Sequence, residues 1–235
     1  MSVQLASAYV LHQRPYRETS ALLEVFAEEY GRVGLVARGV RSAKSKQRGE
    51  LQALRPLRLS WLIRGELGTL TGVESDGRSE RLQGAALYSA FYLNELLMRL
   101  LARQDPHPAL YRLYRDSLQR LAQETDVEPV LRVFEKRLLE ELGYGLLLDH
   151  EVQTGSALDA EGYYDFQLES GPVPVIDAQA PGFVFCGSSL LALAEERLDT
   201  PQARQDAKRL IRSALNLYLG NKPLKSRELF RVPKK

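Results

Sequence analysis

Apolar and polar residues alternate through the first third of the chain and recur at helical spacing through most of the remainder. Over residues 7–75 the runs SAYVLHQ, ALLEVFAEEYG, RVGLVARGV, PLRLSWLIR and ELGTLTGVE mix β-branched, aromatic and alternating positions, punctuated by Gly, which predicts five short strands. Five strands in about 70 residues without a helix-period segment suit a small closed barrel or sandwich. In the fourth run the period of two puts Leu57, Leu59, Trp61 and Ile63 on one face and Arg58, Ser60, Leu62 and Arg64 on the other. The first set is the expected core and the second a candidate groove wall. Trp61 is weighed as a base-stacking ring and as a core side chain, and the alternation places it with the core.

From about residue 82 the period changes. LQGAALYSAFYLNELLMRLLARQ is apolar almost all round, with Asn94, Glu95, Arg99 and Arg103 as its polar stripe, the pattern of a helix buried among others. Pro106 and Pro108 break it, and two amphipathic helices are predicted over 109–124 and 127–143, the second with Asp126 as N-cap and Gly143 as its stop. Residues 143–186 are irregular, with strand-like pieces GYYDFQL and VPVID between Gly and Pro. Two more helices follow, one capped by Ser188 or Ser189 and one opened by Pro201 after Thr200, and then a basic tail. The expected class is therefore α+β and multidomain: a small N-terminal β-barrel over 1–80, then a helical domain over 81–235 carrying an irregular β-containing insertion at about 143–186.

Charge sharpens this reading. The net charge is only +2, but residues 32–64 hold nine Arg or Lys against one acid, Glu50, and residues 204–235 hold ten against two, while 65–203 hold 11 against 23 acids. Like charges packed this densely repel one another, so such runs usually face an anion. VRSAKSKQR, residues 40–48, is poor in large apolar side chains and is expected to be a mobile loop that orders on a ligand. Cations interleaved with Tyr, Trp and Phe on a small barrel suit a single strand of nucleic acid, because cations neutralise phosphates and rings stack on bases of any sequence.

Other chemistries find little support. Neither GxGxxG nor GxxxxGK[ST] occurs. Asp149, His150 and Glu151 are consecutive and so point to opposite faces of an extended segment, and His12 and His107 lie in unrelated elements, so no metal site is expected. The acids recur at helical spacing beside basic partners rather than in the cluster a metal-dependent nuclease needs. Cys186, the single cysteine, has no His nearby in sequence and excludes an intramolecular disulfide. No apolar run approaches the roughly 18 residues of a membrane span. The expectation is a cytoplasmic, non-enzymatic, nucleic-acid-binding protein without a cofactor. A metal-dependent nuclease or other DNA-processing enzyme is the alternative, and an RNA-binding barrel a third reading.

The stretches AYVLHQRPYRETSALLEVFAEEYGRVGLVARGVRS, YSAFYLNELLMRLL, FEKRLLEELGYGLLLD and LGNKPLKSRELFR together resemble the bacterial recombination mediator family RecO, in the family's order and over both ends and the middle of the chain. The resemblance implies an OB-fold followed by a helical domain. It also implies binding of single- and double-stranded DNA, annealing of complementary strands, and loading of RecA onto DNA coated by single-stranded-DNA-binding protein, with RecR as partner in the RecFOR pathway. Many members carry a four-cysteine zinc module after the Gly-Tyr that is here Gly143-Tyr144. This chain has Glu151 and Thr154 where the first pair is expected and only Cys186 from the second, so packing by Tyr163, Tyr164 and Phe166 is expected in place of zinc.

On this reading DNA is expected at Arg38, Arg41, Lys44, Lys46 and Arg48, with Arg58 or Arg64 on the barrel wall. Lys222, Lys225 and Arg227 form a second basic patch, with helix capping and domain docking as its other role. Arg112, Arg115, Arg120, Arg132, Lys136 and Arg137 decorate the helices, either as solvated pairs with nearby Glu or as an anion site. As implied by the family, the acidic C-terminal tail of the single-stranded-DNA-binding protein is expected in an apolar pocket rimmed by Arg132 first, and by Arg120 or Arg137 next.

Overall fold

The computed structural model describes residues 2–63, 65–220 and 222–229, and among these the side chains of Lys46 and Arg227 are left undescribed. Two compact units are distinguished, one of Met1–Thr125 with Pro223–Lys235, the other of Asp126–Lys222.

Five strands open the first unit: β1 Ser2–Tyr16, β2 Ser20–Ala27, β3 Gly31–Ala37, β4 Pro56–Ile63 and β5 Gly68–Ser75. They close into a barrel of order β1-β2-β3-β5-β4, the strand order of an OB-fold. Closure is possible because β1, at 15 residues, pairs with β4 through its first half and with β2 through its second. The last step is a short parallel pairing of Leu35 and Val36 with Gly68 and Thr69. Inward positions follow the expected period: Leu57, Leu59 and Trp61 are buried with Ala21, Leu23, Val25, Val33 and Leu35. Trp61 is fully buried, edge-to-face with Tyr30 at 5.3 Å, and so serves the core rather than a base.

The basic β3–β4 connection departs from the expected loop. Val40 and Leu51 are buried in the barrel core, and Lys46–Gly49 form a 3-10 turn between them. Two apolar side chains thus anchor the cationic stretch near both ends, because Val40 plugs the barrel instead of belonging to a solvated segment.

Helices α1 (Gly84–Leu100) and α2 (Pro108–Gln123) pack on the outer face of β1 and β2. Asn94, buried on α1, donates to the Leu11 carbonyl at 3.0 Å and accepts from the Tyr114 hydroxyl at 2.6 Å. Tyr9 and Phe26 meet Tyr111 and Tyr114 in tilted and edge-on ring contacts. The unit is completed by the short α6 (Ser226–Leu229), which lies against α1.

In the second unit, α3 (Glu128–Glu141) has Val127 rather than the expected Asp126 at its N-cap position, while Asp126 Oδ1 accepts from the Glu128 N–H at 3.0 Å. A three-stranded sheet of β6 (Tyr163–Gln167), β7 (Gly171–Val175) and β8 (Val184–Cys186), in the order β7-β6-β8, supplies the expected β-containing insertion. Tyr164, Phe166 and Phe185 are its buried rings, while Tyr163 is half-buried. The sheet leads into α4 (Gly187–Ala194), which lacks a side-chain cap at its start, so neither Ser188 nor Ser189 plays that part. Helix α5 (Pro201–Leu219) opens at Pro201 as expected, and Thr200 caps it, its Oγ1 accepting from the Ala203 N–H at 3.1 Å. No helix among the described residues is long and apolar enough to cross a membrane.

Candidate nucleic-acid interface

Register places a row of side chains across the outside of the barrel. Arg14 stands opposite Leu22, Leu22 opposite Val36, and Val36 opposite Thr69. The neighbours of Leu22 and Val36, and Leu70 beside Thr69, point into the core, so these three point out, and the exposed Arg14, paired with Leu22, lies on the same side. The row separates two hollows on the β1-β2-β3-β5 face. One, of about 380 Å³, is lined by Tyr16, Arg17, Thr19, Ser20, Val36, Arg38, Gly39 and Thr69. The other, of about 150 Å³, is lined by His12, Arg14, Leu22, Glu24, Glu66, Leu67 and Arg103. In OB-folds the strand 2–3 face and the loops joining strands 1 to 2 and 4 to 5 take oligonucleotides. Both hollows lie there.

The cations at the first hollow are held from two sides. The Arg41 N–H donates to the Thr19 carbonyl at 2.8 Å and its guanidinium to the Arg17 carbonyl at 3.3 Å, tying the basic connection to the β1–β2 turn. Arg17 lies 5.2 Å from the centre of the Tyr16 ring, a cation–π contact at the rim. Arg38 is exposed on the lining. The geometry offers exposed cations, one aromatic ring and a shallow apolar floor of Leu22 and Val36. Such a surface can neutralise a phosphate backbone and stack a base.

Of the residues expected on DNA, Arg38 lines this hollow and Arg41 is bonded to the carbonyls of Arg17 and Thr19, which line it. Lys44 and Arg48 are exposed on the connection beyond it, and the Lys46 side chain and Arg64 fall outside the described residues. Arg58 is outward-facing but lines neither hollow. It pairs with Asp76 at 3.1 Å. Lys225 is exposed at the start of α6 and Lys222 is exposed in the second unit, while the Arg227 side chain is outside the described residues.

His12, Arg14, Tyr16, Arg17 and Arg103 were not anticipated. Pro15 reads as the end of a strand because it cannot donate to a ladder, yet β1 runs on to Tyr16 with Pro15 opposite Ala21. The charge alternation of His12 and Arg14 was the available signal.

The arginines expected at a partner-tail site are all engaged. Arg120 pairs with Glu124 one turn on, at 2.7 Å. Arg132, expected at a surface rim, is instead buried, with Nη2 donating to the fully buried Glu135 at 2.9 Å. Helical spacing puts these two on one face, and this face turns inward. Arg137 grips Glu196 with Nε and Nη2 at 2.7 and 2.9 Å. Burial acts to raise the Glu196 pKa, but hydrogen bonds from Arg137 and Lys136 outweigh it and hold the carboxyl below its usual range. Arg120 belongs to the first unit, Arg132 and Arg137 to the second.

The residues of the insertion do not fit a zinc ion. Thr154 donates to the Glu151 carboxylate and closes a turn with Ser156. The Cys186 thiol lies 3.3 Å from the Ala160 carbonyl and 3.2 Å from Ser188 Oγ. Among the described residues no three His, Cys, Asp or Glu side chains converge on a metal position.

A closed five-stranded barrel with a cation-lined concavity on its strand 2–3 face makes this a nucleic-acid-binding protein of the OB-fold class. Residues 1–76 match the family model for the N-terminal part of recombination protein O, and residues 81–228 match that for its C-terminal part. The chain belongs to the RecO family of DNA repair proteins. A DNA repair protein RecO from Nitrosococcus oceani is 50% identical over 229 residues, covering 97% of this chain and 93% of the relative. Others from Methylococcus capsulatus and Alkalilimnicola ehrlichii are 47% and 46% identical, covering 97% of this chain and 93% and 91% of theirs.

Proposed function

We propose that the chain is a recombination mediator: it binds single- and double-stranded DNA, anneals complementary strands, and helps load RecA onto DNA coated by single-stranded-DNA-binding protein, acting with RecR in the cytoplasm. The observation that carries this reading is the OB face, where Arg14, Arg17 and Arg38 line two hollows floored by Leu22 and Val36 and Arg41 is bonded to the Arg17 carbonyl. Annealing requires that bases stay free to pair, so the strand is held chiefly by its phosphates. Lys44 and Arg48 add exposed cations on the connection beyond this face, and Lys46, Lys222, Lys225 and Arg227 are proposed as further phosphate contacts. No covalent step is involved. The domain expected at 1–80 supplies the DNA face, and the remainder supplies the partner contacts.

A groove meeting about five phosphates gives a log–log salt slope of roughly −3.5 on a single strand. The test is annealing of complementary strands coated with single-stranded-DNA-binding protein, with and without that protein's acidic tail, by wild type and by an R17A/R38A/R41A variant. The variant is expected to lose affinity for all sequences alike and to anneal slowly. Coat protein without its tail is expected to slow wild type, since Arg120 or Arg137 would lose the acidic partner. Cleavage of the strands in Mg²⁺ would overturn the reading.

A further inference from the structure

An acid sits in the middle of this cationic face. Glu24 on β2 points outward beside Leu22, and its carboxylate is held by two arginines, Arg32 Nη1 at 3.2 Å and Arg103 Nη2. The two are not equivalent. Arg32 is largely enclosed and also donates Nε to the Leu101 carbonyl at 3.1 Å, whereas the Arg103 side chain is 41% exposed and lines the hollow with His12, Arg14 and Leu22.

Arg103 reaches the hollow from outside the barrel. β5 pairs with β3 only at Leu35 and Val36, so the first half of β3 has a free edge. Residues 101–105 lie along that edge: Gln104 N–H donates to the Arg32 carbonyl at 2.9 Å, and Arg32 and Arg103 form a bridge. The guanidinium then rests over Gly34, where a Cβ would come within 3.3 Å of Arg103 Nη2 and 2.7 Å of Leu67. A glycine is needed there to let both side chains settle on the strand.

A bare carboxylate among phosphate-binding cations would repel DNA. One arginine is enough to neutralise Glu24, and two are present. Building on the OB-face reading, we propose that Arg103 is a phosphate-binding residue of the DNA groove, contributed from beyond the barrel and restrained by Glu24 while the groove is empty. On binding, Arg103 exchanges the Glu24 carboxylate for a backbone phosphate. Arg32, fixed by Leu101, stays with Glu24, so the exchange leaves no unpaired buried charge. The arrangement lowers affinity for stray anions, because every ligand must compete with an internal carboxylate.

The experiment is fluorescence anisotropy of a labelled single-stranded oligo(dT) over a salt series with R103A, E24Q, E24Q/R103A and R38A, each also followed by thermal melting. R103A is expected to weaken binding about fivefold and to reduce the salt slope by about 0.7, one phosphate contact. E24Q retains Arg103 and the strap, and is expected to tighten binding. That gain is expected to vanish in E24Q/R103A, the mark of coupling between the two side chains. A lower melting temperature for R103A with unchanged affinity and slope would make it only a staple and overturn the proposal, as would a gain from E24Q that persists without Arg103. R38A reads the face separately: loss of affinity in R38A but not in R103A sinks the role of Arg103 alone, and loss in neither sinks the OB-face reading itself.

Discussion

Glu95 on α1 accepts three hydrogen bonds from the start of α6: the N–H groups of Lys225 and Ser226 at 2.9 and 2.8 Å, and the Ser226 hydroxyl at 2.6 Å. The carboxylate thus serves as a cap supplied from another helix, satisfying donors that a helix start leaves open. It also gives the LGNKPLKSRELF stretch a structural task beside its charge. Partial burial acts to raise the Glu95 pKa, but the bonds from Ser226 and Lys225, with Arg99 nearby, hold it below the usual carboxylate range. A depressed carboxyl contributes stability above its unfolded pKa and loses it as pH falls through the folded value. E95Q is therefore expected to melt lower than wild type at pH 7 and to release the C-terminal segment to limited proteolysis. The gap should close below pH 4. A constant gap across that range would show that charge is not what Glu95 contributes.

Gly31 begins β3 at a positive φ of 65°, and a Cβ built there would lie 2.0 Å from the Asp105 carbonyl oxygen. The neighbour is backbone, so no rotamer change relieves the clash. G31A is expected to cost more than about 2 kcal/mol in denaturant unfolding, from strain at φ plus displacement of the 101–105 strap. A loss of a few tenths would mean that the strap moves freely.

The Tyr114–Asn94–Leu11 chain is a buried polar link between the helices and the barrel within the first unit. Burial pushes the Tyr114 hydroxyl well above the ordinary phenol range, so it stays protonated and donates at any working pH. Y114F is expected to cost about 1 kcal/mol, one neutral hydrogen bond. N94A removes both the acceptor of Tyr114 and the donor to Leu11, and its cost should be about 2–3 kcal/mol. Chemical denaturation of both variants, compared by midpoint, checks the order.

Glu196 joins Lys136 at 3.0 Å and the bidentate Arg137 grip in the second unit. Because its pKa is lowered in the fold, the stability it lends is present at neutral pH and fades as pH drops below the usual carboxylate range. E196Q is expected to lower the melting temperature at pH 7 and to match wild type near pH 3. The same substitution frees Arg137. If Arg137 is the rim of the tail site, a peptide ending in acidic residues should bind E196Q more tightly than wild type, as read by anisotropy of the labelled peptide.

Parts of this molecule are written plainly in its residues. The odd positions of β4 enter the core as alternation requires, and the apolar, Gly-free run of 88–101 becomes α1, because both are local consequences of period. What escaped depends on distant partners. Arg132 and Glu135 look like any solvated i,i+3 pair until the helix is packed. Arg103 reads as one of a polar stripe until the strap carries it 79 positions back to Glu24. Pro15 is a strand breaker by composition but an edge-compatible residue where β1 leaves its ladder with β4. The basic run 32–64 was visible as a cationic surface, yet Val40 and Leu51, which fix its path, carry no signal apart from their size.

The insertion at 143–186 offers the clearest contrast between what a fold needs and what the chain retains. It has seven acids and no Lys or Arg, and no cysteine pair to organise it, so its sheet depends on packing. Phe185 is buried edge-on to Phe166 at 6.3 Å and to Phe183 at 4.6 Å, and Arg209 from α5 lies 4.1 Å from the centre of the Phe185 ring. Tyr164, also buried, accepts from the Asp159 N–H at 2.8 Å. A metal-organised module unfolds when the ion is removed. A ring-packed one is indifferent. Excess chelator is accordingly expected to leave the melting curve and protease resistance of residues 143–186 unchanged. F185A should lose about 3–5 kcal/mol in that unit, and R209A less, about 1 kcal/mol for the cation–π contact. A chelator-induced shift would mean that Cys186, or a carboxylate cluster around it, binds metal after all.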